Sequence, residues 1–324
     1  AGNRIEGRSR EGVRTGTCKY LFRARRTCCP KRTFHRRKFG FHQPLQSPKI
    51  GKSRPFSTRI ILAEMYGVLY SEEFGRPEMP TLVCLHGLLG SSRNWRSVAK
   101  DLSPDFQVFA LDLRNHGESF HQEDASVKAM AEDLRLWLDD QNLASVILCG
   151  HSLGGKVAMR FACDHPNRIE KLVVADIAPR DYPPEHHLPT LDALLGLDLR
   201  NLQSRKEADE ALVSKVPNWA FRQFLLTNLA KREESFYWKP NLSALRASMD
   251  GLSSNPLQSD EEFEGLTLFV RGGKSGYLRT EHLPEIEKHF SNSQVEVLPE
   301  AGHDLHIEDR PGFIRVVRNF LSLV

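Results

Sequence analysis

Short apolar runs alternate with helical patterns from about residue 60 onward. This alternation predicts a mostly parallel central sheet with helices on both faces. The predicted strands are 60–70 (an opening strand or hairpin), 81–85, 108–112, 145–149, 171–175, 267–270 and 294–298. Apolar residues at helical spacing predict helices over 127–140, from residue 153 to about 164, and from about 311 to the C-terminus. We therefore expect one α/β domain over residues 60–324.

About ninety residues separate the predicted strands 171–175 and 267–270, and they show helical patterning with no clear strand. A structureless stretch of that length is improbable in a folded domain. The pattern favours an inserted helical cap at about 181–260. We expect the charged segment 200–215 and the aromatic run 236–238 to belong to its short helices.

The charge is divided unevenly along the chain. Residues 1–60 hold 17 Lys and Arg against two acidic residues, whereas residues 61–324 hold 28 against 39, a net charge of about −11. A basic core that binds nucleic acid is therefore not expected. No apolar run reaches the roughly 18 residues that cross a bilayer, so no integral membrane segment is expected either.

The basic arm, residues 1–59, is rich in Arg and poor in acids, which is typical of an organelle transit peptide. A mitochondrial location is the first expectation, with plastid and cytoplasm left open. Two alternatives remain. The arm is a disordered basic tail, or it is non-native leader sequence, since residues 5–8 resemble a protease-site linker. The arm is not expected to fold.

The six cysteines show neither zinc-ligand spacing nor a secretory context. Cys84, Cys149 and Cys163 fall in apolar strand-like or helix-like runs, where a free Cys behaves as a small buried hydrophobe. We expect a reduced compartment, no structural disulfides and no metal site.

A nucleophile motif stands between a predicted strand and a predicted helix. Residues 150–154 read Gly-His-Ser-Leu-Gly, matching G-x-S-x-G, with Ser152 at the strand-to-helix turn. Gly150 and Gly154 remove side chains that would clash in so sharp a turn. The motif predicts Ser152 as a catalytic nucleophile and the Leu153 amide as one oxyanion donor.

Two further loops complete the predicted machinery. Residues 86–90 form an H-G-x-x-G loop after strand 81–85, which predicts the Leu88 amide as the second oxyanion donor, with His86 bracing the loop. His303 follows the last predicted strand, where a general base can reach the Ser152 hydroxyl. His306 is its nearest rival, and we expect it to pack against the following helix.

The third catalytic residue, an acid that orients the histidine, is predicted at an uncommon place. The loop after strand 267–270, where this fold usually carries the acid, has no carboxylate before Glu281, and Ser275 stands in the expected position. The other known position is the end of the strand after the nucleophile helix, which here ends at Asp176. We predict Asp176 as the acid, with Glu281, or a capping role for Asp176, left open.

These motifs together carry a family resemblance. They are His86–Ser91, Asn94-Trp95, Asp112–Gly117, Gly150–Lys156, Val174–Pro179 and Ala301–His303. In that order they resemble the α/β hydrolases of the abhydrolase domain-containing protein 11 branch, which includes YbfF-type esterases. The resemblance covers about residues 60–324. It implies an α/β-hydrolase fold with a compact helical cap, esterase activity on short acyl esters, and a triad matching Ser152, Asp176 and His303. Animal members also suggest a mitochondrial location.

Two departures from the family limit the transfer. Leu153 stands where relatives often carry Met, which leaves the backbone amide unaffected. The longer cap segment at 196–216 makes substrate preference hard to carry over. We expect Arg114, Asn115 and His116 to pin their loop rather than contact substrate.

The resulting hypothesis is a serine hydrolase that cleaves short to medium acyl esters through an acyl-enzyme, without cofactor or metal. A halide- or epoxide-opening enzyme would place Asp at position 152. Two alternatives stay open: a thioesterase or acyltransferase with the same triad, and a low-turnover ligand-binding protein. The expected partner is a small-molecule acyl ester; the oligomeric state is left open.

Overall fold

The first strand of the central sheet begins shortly after the start of the described chain. The computed structural model describes residues 67–322, so the basic arm and residues 60–66 of the first predicted strand lie outside the described residues. Residues 67–70 are irregular, and pairing begins at Ser71. The prediction of a strand through residue 70 was wrong in this part, because Tyr70 bonds to a loop instead. Its N–H donates to Ser119 Oγ (2.8 Å), and its carbonyl accepts from Asp112 N (2.9 Å).

The strands of the described chain are β1 (Ser71–Phe74), β2 (Thr81–Leu85), β3 (Gln107–Leu111), β4 (Val146–His151), β5 (Ile169–Ala175), β6 (Leu229–Arg232), β7 (Ser235–Trp238), β8 (Thr267–Gly272) and β9 (Ser293–Leu298). Seven of them form one sheet in the order β1-β3-β2-β4-β5-β8-β9, in which only β1 is antiparallel to its neighbour. A separate antiparallel pair is formed by β6 and β7. The predicted mostly parallel sheet is confirmed.

Helices connect the strands, together with short 3-10 turns. They are α1 (Arg96–Leu102), α2 (Val127–Asp140), α3 (Leu153–Asp164), α4 (Leu188–Leu195), α5 (Arg205–Leu212), α6 (Trp219–Leu226), α7 (Leu242–Ala247), α8 (Met249–Ser253), α9 (Leu283–His289), α10 (Leu305–Glu308) and α11 (Arg310–Leu321). One apolar core joins α2, α3 and α9 to one face of the sheet, and a second joins α1 and α11 to the other.

The central strands read as unbroken apolar runs because both of their faces are covered. In β2, Val83 and Leu85 enter the core under α2 and α3, whereas Leu82 and Cys84 enter the core under α1 and α11. The other parallel strands alternate in the same way, since successive side chains point to opposite faces. Cys84, Cys149 and Cys163 are free thiols; the first two are buried and the third is half-buried.

The segment between β5 and β8, residues 176–266, holds helices α4 to α8, and we refer to it as the cap. The expectation that it contains no strand was wrong, because residues 229–238 form the β6–β7 hairpin. Its turn passes through Glu233, whose φ is 52°. A left-handed Glu gives none of the Gly or Asn signal by which hairpin turns are recognised. The aromatic run 236–238 thus lies in β7 rather than in a helix.

Two side-chain contacts fix the hairpin region against its surroundings. Trp238 Nε1 donates to the carbonyl of Leu194 at the end of α4 (3.1 Å). Just before β6, Asn228 Nδ2 donates to the carbonyl of Leu89 in the loop after β2 (2.7 Å), and this bond is buried. The cap is thereby attached directly to the loop that follows β2.

Close backbone contacts place α3 against β2. A Cβ added to Gly154 would lie 2.4 Å from the Leu85 carbonyl oxygen. We expect Gly154→Ala to lower the free energy of unfolding by about 1–3 kcal/mol, because neither backbone can yield easily. Urea denaturation measures this change.

Gly251→Ala is the matched control, since a Cβ there meets nothing within 4 Å and the residue lies inside α8. That substitution should leave stability unchanged or raise it by up to about 1 kcal/mol. Equal effects of the two substitutions would contradict the close-contact argument.

Candidate active site

Ser152 lies in the sharp turn between β4 and α3 with a φ of 53°, a left-handed conformation that is unusual for Ser. The turn fits only because its neighbours lack side chains. A Cβ on Gly150 would lie 2.2 Å from the Gly154 carbonyl oxygen, and one on Gly155 would lie 2.5 Å from Ile177 Cγ2. Such strained backbone is typical of functional sites, and here it exposes the Ser152 hydroxyl at the sheet edge.

The structure brings Ser152, His303 and Asp176 together in one hydrogen-bonded row. His303 Nε2 lies 3.0 Å from Ser152 Oγ, and His303 Nδ1 lies 2.8 Å from Asp176 Oδ2. In this order the Ser152 hydroxyl donates to Nε2, and Nδ1–H donates to the carboxylate. The His303 side chain is 27% exposed, whereas that of Asp176 is fully buried. The arrangement can therefore take a proton from the hydroxyl and stabilise the resulting imidazolium.

Asp176 accepts hydrogen bonds from three donors, two of them at the end of β8 and in the loop that follows it, and one in the loop after β9. Its Oδ1 accepts from Gly272 N at the end of β8 (3.0 Å), and its Oδ2 accepts from Ser275 Oγ as well as from His303. Ser275, at the position where this fold usually carries the acid, thus donates to Asp176 instead. Glu281, the rival, instead forms an ion pair with Arg279 (3.5 Å).

Leu88 and Leu153, the sequence-predicted oxyanion donors, both border the space in front of Ser152. Leu153 is the first residue of α3, so its N–H has no acceptor within the helix. The loop that carries Leu88 approaches the nucleophile closely, since a Cβ on Gly87 would lie 3.2 Å from Ser152 Cβ. Both residues thus lie beside Ser152, and their role as oxyanion donors stays a prediction.

The remaining motif residues brace loops, as the sequence predicted. His86 Nε2 accepts from Leu113 N (3.0 Å), and its Nδ1 lies 2.8 Å from the Gly87 carbonyl oxygen. Arg114 forms a bidentate ion pair with Asp133 of α2. His116 Nδ1 donates to the Arg114 carbonyl (2.9 Å).

Asn115 and Asp112 fold the rest of this loop. Asn115 Oδ1 accepts from Gln122 N (2.9 Å). Gly117, with a φ of 55°, packs against the buried Asp112 carboxylate, where a Cβ would lie 1.9 Å from Oδ2. This contact explains why the motif that begins at Asp112 ends in glycine.

Residues that sequence reasoning missed surround His303. The Tyr277 ring stacks on the His303 imidazole, with centroids 3.8 Å apart and planes inclined by 19°. His187 from the cap lies 3.4 Å from the Tyr277 hydroxyl. His151 Nε2 donates to the His303 carbonyl (2.9 Å). His151 had a signal in its place beside Ser152, whereas Tyr277 and His187 are brought here by tertiary packing alone.

His306, the rival base, is packed as expected. Its ring stacks on Trp95 (centroids 4.5 Å apart) and meets Phe313 of α11 edge-on. Burial lowers its pKa well below the usual value for His. Burial also lowers the pKa of His151 and of His116 to about 4. The site is thus supported by imidazoles that are held neutral.

Two cavities meet at Ser152. The narrow cavity, of about 30 Å³, is lined by Ser152, Leu153, Lys156, Ile177, Leu252 and Ser253, among others. The wide cavity, of about 260 Å³, is lined by Gly87, Asn94, Thr190, Phe224, His303 and Asp304, among others. Leu88, His187 and Tyr277 border both. A single water needs about 10–15 Å³ on this scale, so the narrow cavity admits only a small group.

Within residues 67–322, no cluster of three or more His, Cys, Asp or Glu side chains is arranged to hold a metal ion. In the same range, no helix combines the length and apolar character needed to cross a membrane.

Comparison with known proteins decides the family. A family model described as the α/β hydrolase fold matches residues 80–310. The chain belongs to the α/β-hydrolase fold family. It is 38% identical over 255 residues to the mouse sn-1-specific diacylglycerol lipase ABHD11, covering 76% of this chain and 83% of the mouse protein. It is 30% identical over 241 residues to the Escherichia coli esterase YbfF, covering 74% and 92% of the two chains.

A solved structure similar to this chain is also named as an esterase. The structure named as a marine microorganism esterase is 36% identical and superposes with a TM-score of 0.76, covering 78% of this chain and 99% of that one. The resemblance to the ABHD11 and YbfF branch, the fold and the expectation of a carboxylic ester hydrolase are therefore confirmed.

The buried histidines predict a loss of stability in acid. Below about pH 6.5 these histidines bind protons in the unfolded chain, whereas folded His116, His151 and His306 stay neutral because their pKa values are lowered. The free energy of unfolding therefore falls as the pH drops toward 4. A histidine with a folded pKa near 4 contributes up to about 3 kcal/mol to this fall. We expect His306→Phe to make the decline shallower. Neither His306 ring nitrogen has a hydrogen-bond partner among the described residues, so Phe loses no bond.

Urea denaturation at pH 8, 6 and 5 measures the effect. The difference between His306→Phe and wild type at pH 8 reports the change in packing alone. Parallel stability curves for the two proteins over this range would contradict the assignment of the acid loss to buried imidazole.

Proposed function

We propose that this carboxylic ester hydrolase works through Ser152 as nucleophile, His303 as general base and Asp176 as the acid that orients His303. The observation that carries the proposal is the continuous row of hydrogen bonds from Ser152 Oγ through the imidazole to the buried carboxylate, with spacings of 3.0 and 2.8 Å. A neutral imidazole between a hydroxyl and a carboxylate has the right tautomer to accept the hydroxyl proton.

The reaction would proceed in two acyl-transfer steps. Ser152 Oγ attacks the ester carbonyl while its proton passes to His303 Nε2, and the carbonyl oxygen becomes an anion. The Leu88 and Leu153 amides would stabilise that anion, each donor being worth about 3 kcal/mol in such sites. His303 then protonates the leaving alcohol, which departs and leaves an acyl-Ser152 ester. Water, deprotonated by His303, releases the carboxylic acid.

Asp176 would orient the imidazole throughout the cycle. Gly272 N, Ser275 Oγ and His303 Nδ1 all donate to its carboxylate and hold it in place. An Asn at position 176 keeps the shape but offers its amide in place of an acceptor, so the imidazole loses the tautomer that catalysis requires.

A fluorophosphonate probe tests the nucleophile and the acid together. We expect the full-length wild type to be labelled and Ser152→Ala to show no labelling. Asp176→Asn should be labelled far more slowly and should lose about 10⁴-fold in kcat on 4-nitrophenyl acetate. In-gel fluorescence and steady-state kinetics are the measurements.

Glu281→Gln is the matched control, because it neutralises the other candidate acid without touching the row of hydrogen bonds. It should retain wild-type labelling and turnover. If Glu281→Gln were the inactive variant and Asp176→Asn the active one, the assignment of the acid would be wrong. A folded wild type without labelling would favour the ligand-binding alternative, and turnover of thioesters over esters would favour the thioesterase.

We also propose that residues 1–59 direct the enzyme to mitochondria. The support is the excess of Arg and Lys in the arm over its two acids. A fluorescent protein carrying residues 1–59 should co-localise with a mitochondrial dye in cultured cells. A version with the arginines of the arm replaced by glutamine should stay diffuse. Diffuse fluorescence from both versions would refute the targeting role.

A further inference from the structure

Provided that the proposed function holds, the two cavities at Ser152 assign different places to the alcohol part and the acyl part of the ester. The leaving alcohol must receive its proton from His303 Nε2, so it must lie where His303 is accessible. His303 lines the wide cavity and is not among the residues that line the narrow one. The acyl group therefore occupies the narrow cavity. Its small volume restricts the acyl group to a short chain.

Lys156 makes this narrow cavity chemically unusual. It lies four residues after Ser152, about 6 Å further along one face of α3. It is only 3% exposed, and its Nζ donates to the carbonyls of Leu252, Ser253 and Ser254 at 2.7–3.0 Å. Three donated bonds require an ammonium group.

That buried charge lacks a carboxylate partner. Among residues 67–322, none lies within ion-pair distance of Lys156 Nζ. The carboxylate whose charge reaches it most is that of Asp181, which is exposed and accepts instead from Asn255 N (2.7 Å). Burial consequently lowers the pKa of Lys156 to about 7. The groups that face this charge are the three carbonyls and the Tyr182 ring, whose centroid lies 5.0 Å from Nζ, and none of them carries a full negative charge to offset the lost hydration.

Ser253 gives a second, independent observation in the same cavity. Its side chain is buried (5% exposed), and its Oγ has no hydrogen-bond partner among the described residues. A buried hydroxyl without a partner is costly unless something at the site pairs with it. All three hydrogens of Lys156 are engaged, whereas the hydroxyl hydrogen of Ser253, a residue that lines the same cavity, is not.

We propose that the narrow cavity binds a short acyl group that carries a carboxylate at its far end, so that the substrate is a half-ester of a short dicarboxylic acid. The carboxylate accepts the Ser253 Oγ–H and supplies the negative charge that Lys156 lacks. The ester carbonyl at the other end of the acyl group reaches Ser152. The reaction is ordinary hydrolysis, and its products are the dicarboxylic acid and an alcohol.

Three methyl esters of similar size separate charge from hydrogen bonding. Monomethyl succinate ends in a carboxylate, methyl 4-oxopentanoate ends in a neutral ketone acceptor, and methyl pentanoate ends in an apolar group. With the full-length protein we expect kcat/KM for monomethyl succinate to exceed that for methyl pentanoate by about tenfold to a hundredfold, with the ketone between them. Alkali uptake in a pH-stat at pH 7 measures each rate.

Two variants test the two groups separately. Lys156→Met keeps the length of the side chain and removes its charge, so it should reverse the preference and favour methyl pentanoate. Ser253→Ala should abolish the advantage of the ketone and reduce that of the carboxylate. Lys128→Met, an exposed lysine on α2, is the control and should keep the wild-type order. The ratio of rates is the readout, so a general loss of activity leaves it interpretable.

Binding to Ser152→Ala supplies a measure that does not need turnover. Calorimetry should show tighter binding of monomethyl succinate than of methyl pentanoate, with proton uptake near pH 7 as the pKa of Lys156 rises. A wild type that hydrolyses methyl pentanoate best, with the same order in Lys156→Met, would overturn the carboxylate site and leave the esterase intact. Failure to hydrolyse any ester or to react with the fluorophosphonate would overturn the proposed function, and the carboxylate site with it.

Discussion

The hydrogen bond from His303 Nδ1 to Asp176 Oδ2 joins residues 127 positions apart in the chain, and the candidate site depends on it. A fully buried carboxylate is tolerated only when its lone pairs are used. Here they are used by the end of β8, by Ser275 and by the loop after β9. Asp176 thus positions the His303 imidazole and also holds three neighbouring strand ends at the same edge of the sheet.

Much of this arrangement could be predicted from sequence because its causes are local. Strands buried on both faces must be apolar throughout, so β2 to β5 stand out as short hydrophobic runs. The nucleophile turn is marked by glycines that no larger residue could replace without backbone clashes. Asp176 is predicted as the acid because the loop after β8 has no carboxylate before Glu281, and because Asp176 directly follows β5, the other position known for the acid in this fold.

The rest depends on contacts between distant segments, which no local pattern encodes. The β6–β7 hairpin turns through Glu233 rather than a glycine. Tyr277 stacks on His303 only because the loop after β8 folds back over the imidazole. The partners of Lys156 lie 96 to 98 residues away in the cap, so its burial could not be read from its place in α3.

The bond from Asn228 to the Leu89 carbonyl bears on how such an enzyme diversifies. Caps differ among relatives more readily than sheets do, since loops and insertions tolerate change. In this chain, however, the cap holds the backbone of the loop that follows β2, where Leu89 itself has a φ of 59°. The cap and this loop are therefore structurally coupled. A cap that lacks the Asn228 amide would leave the Leu89 carbonyl without this hydrogen bond, so a change of the cap also changes what holds the loop beside Ser152.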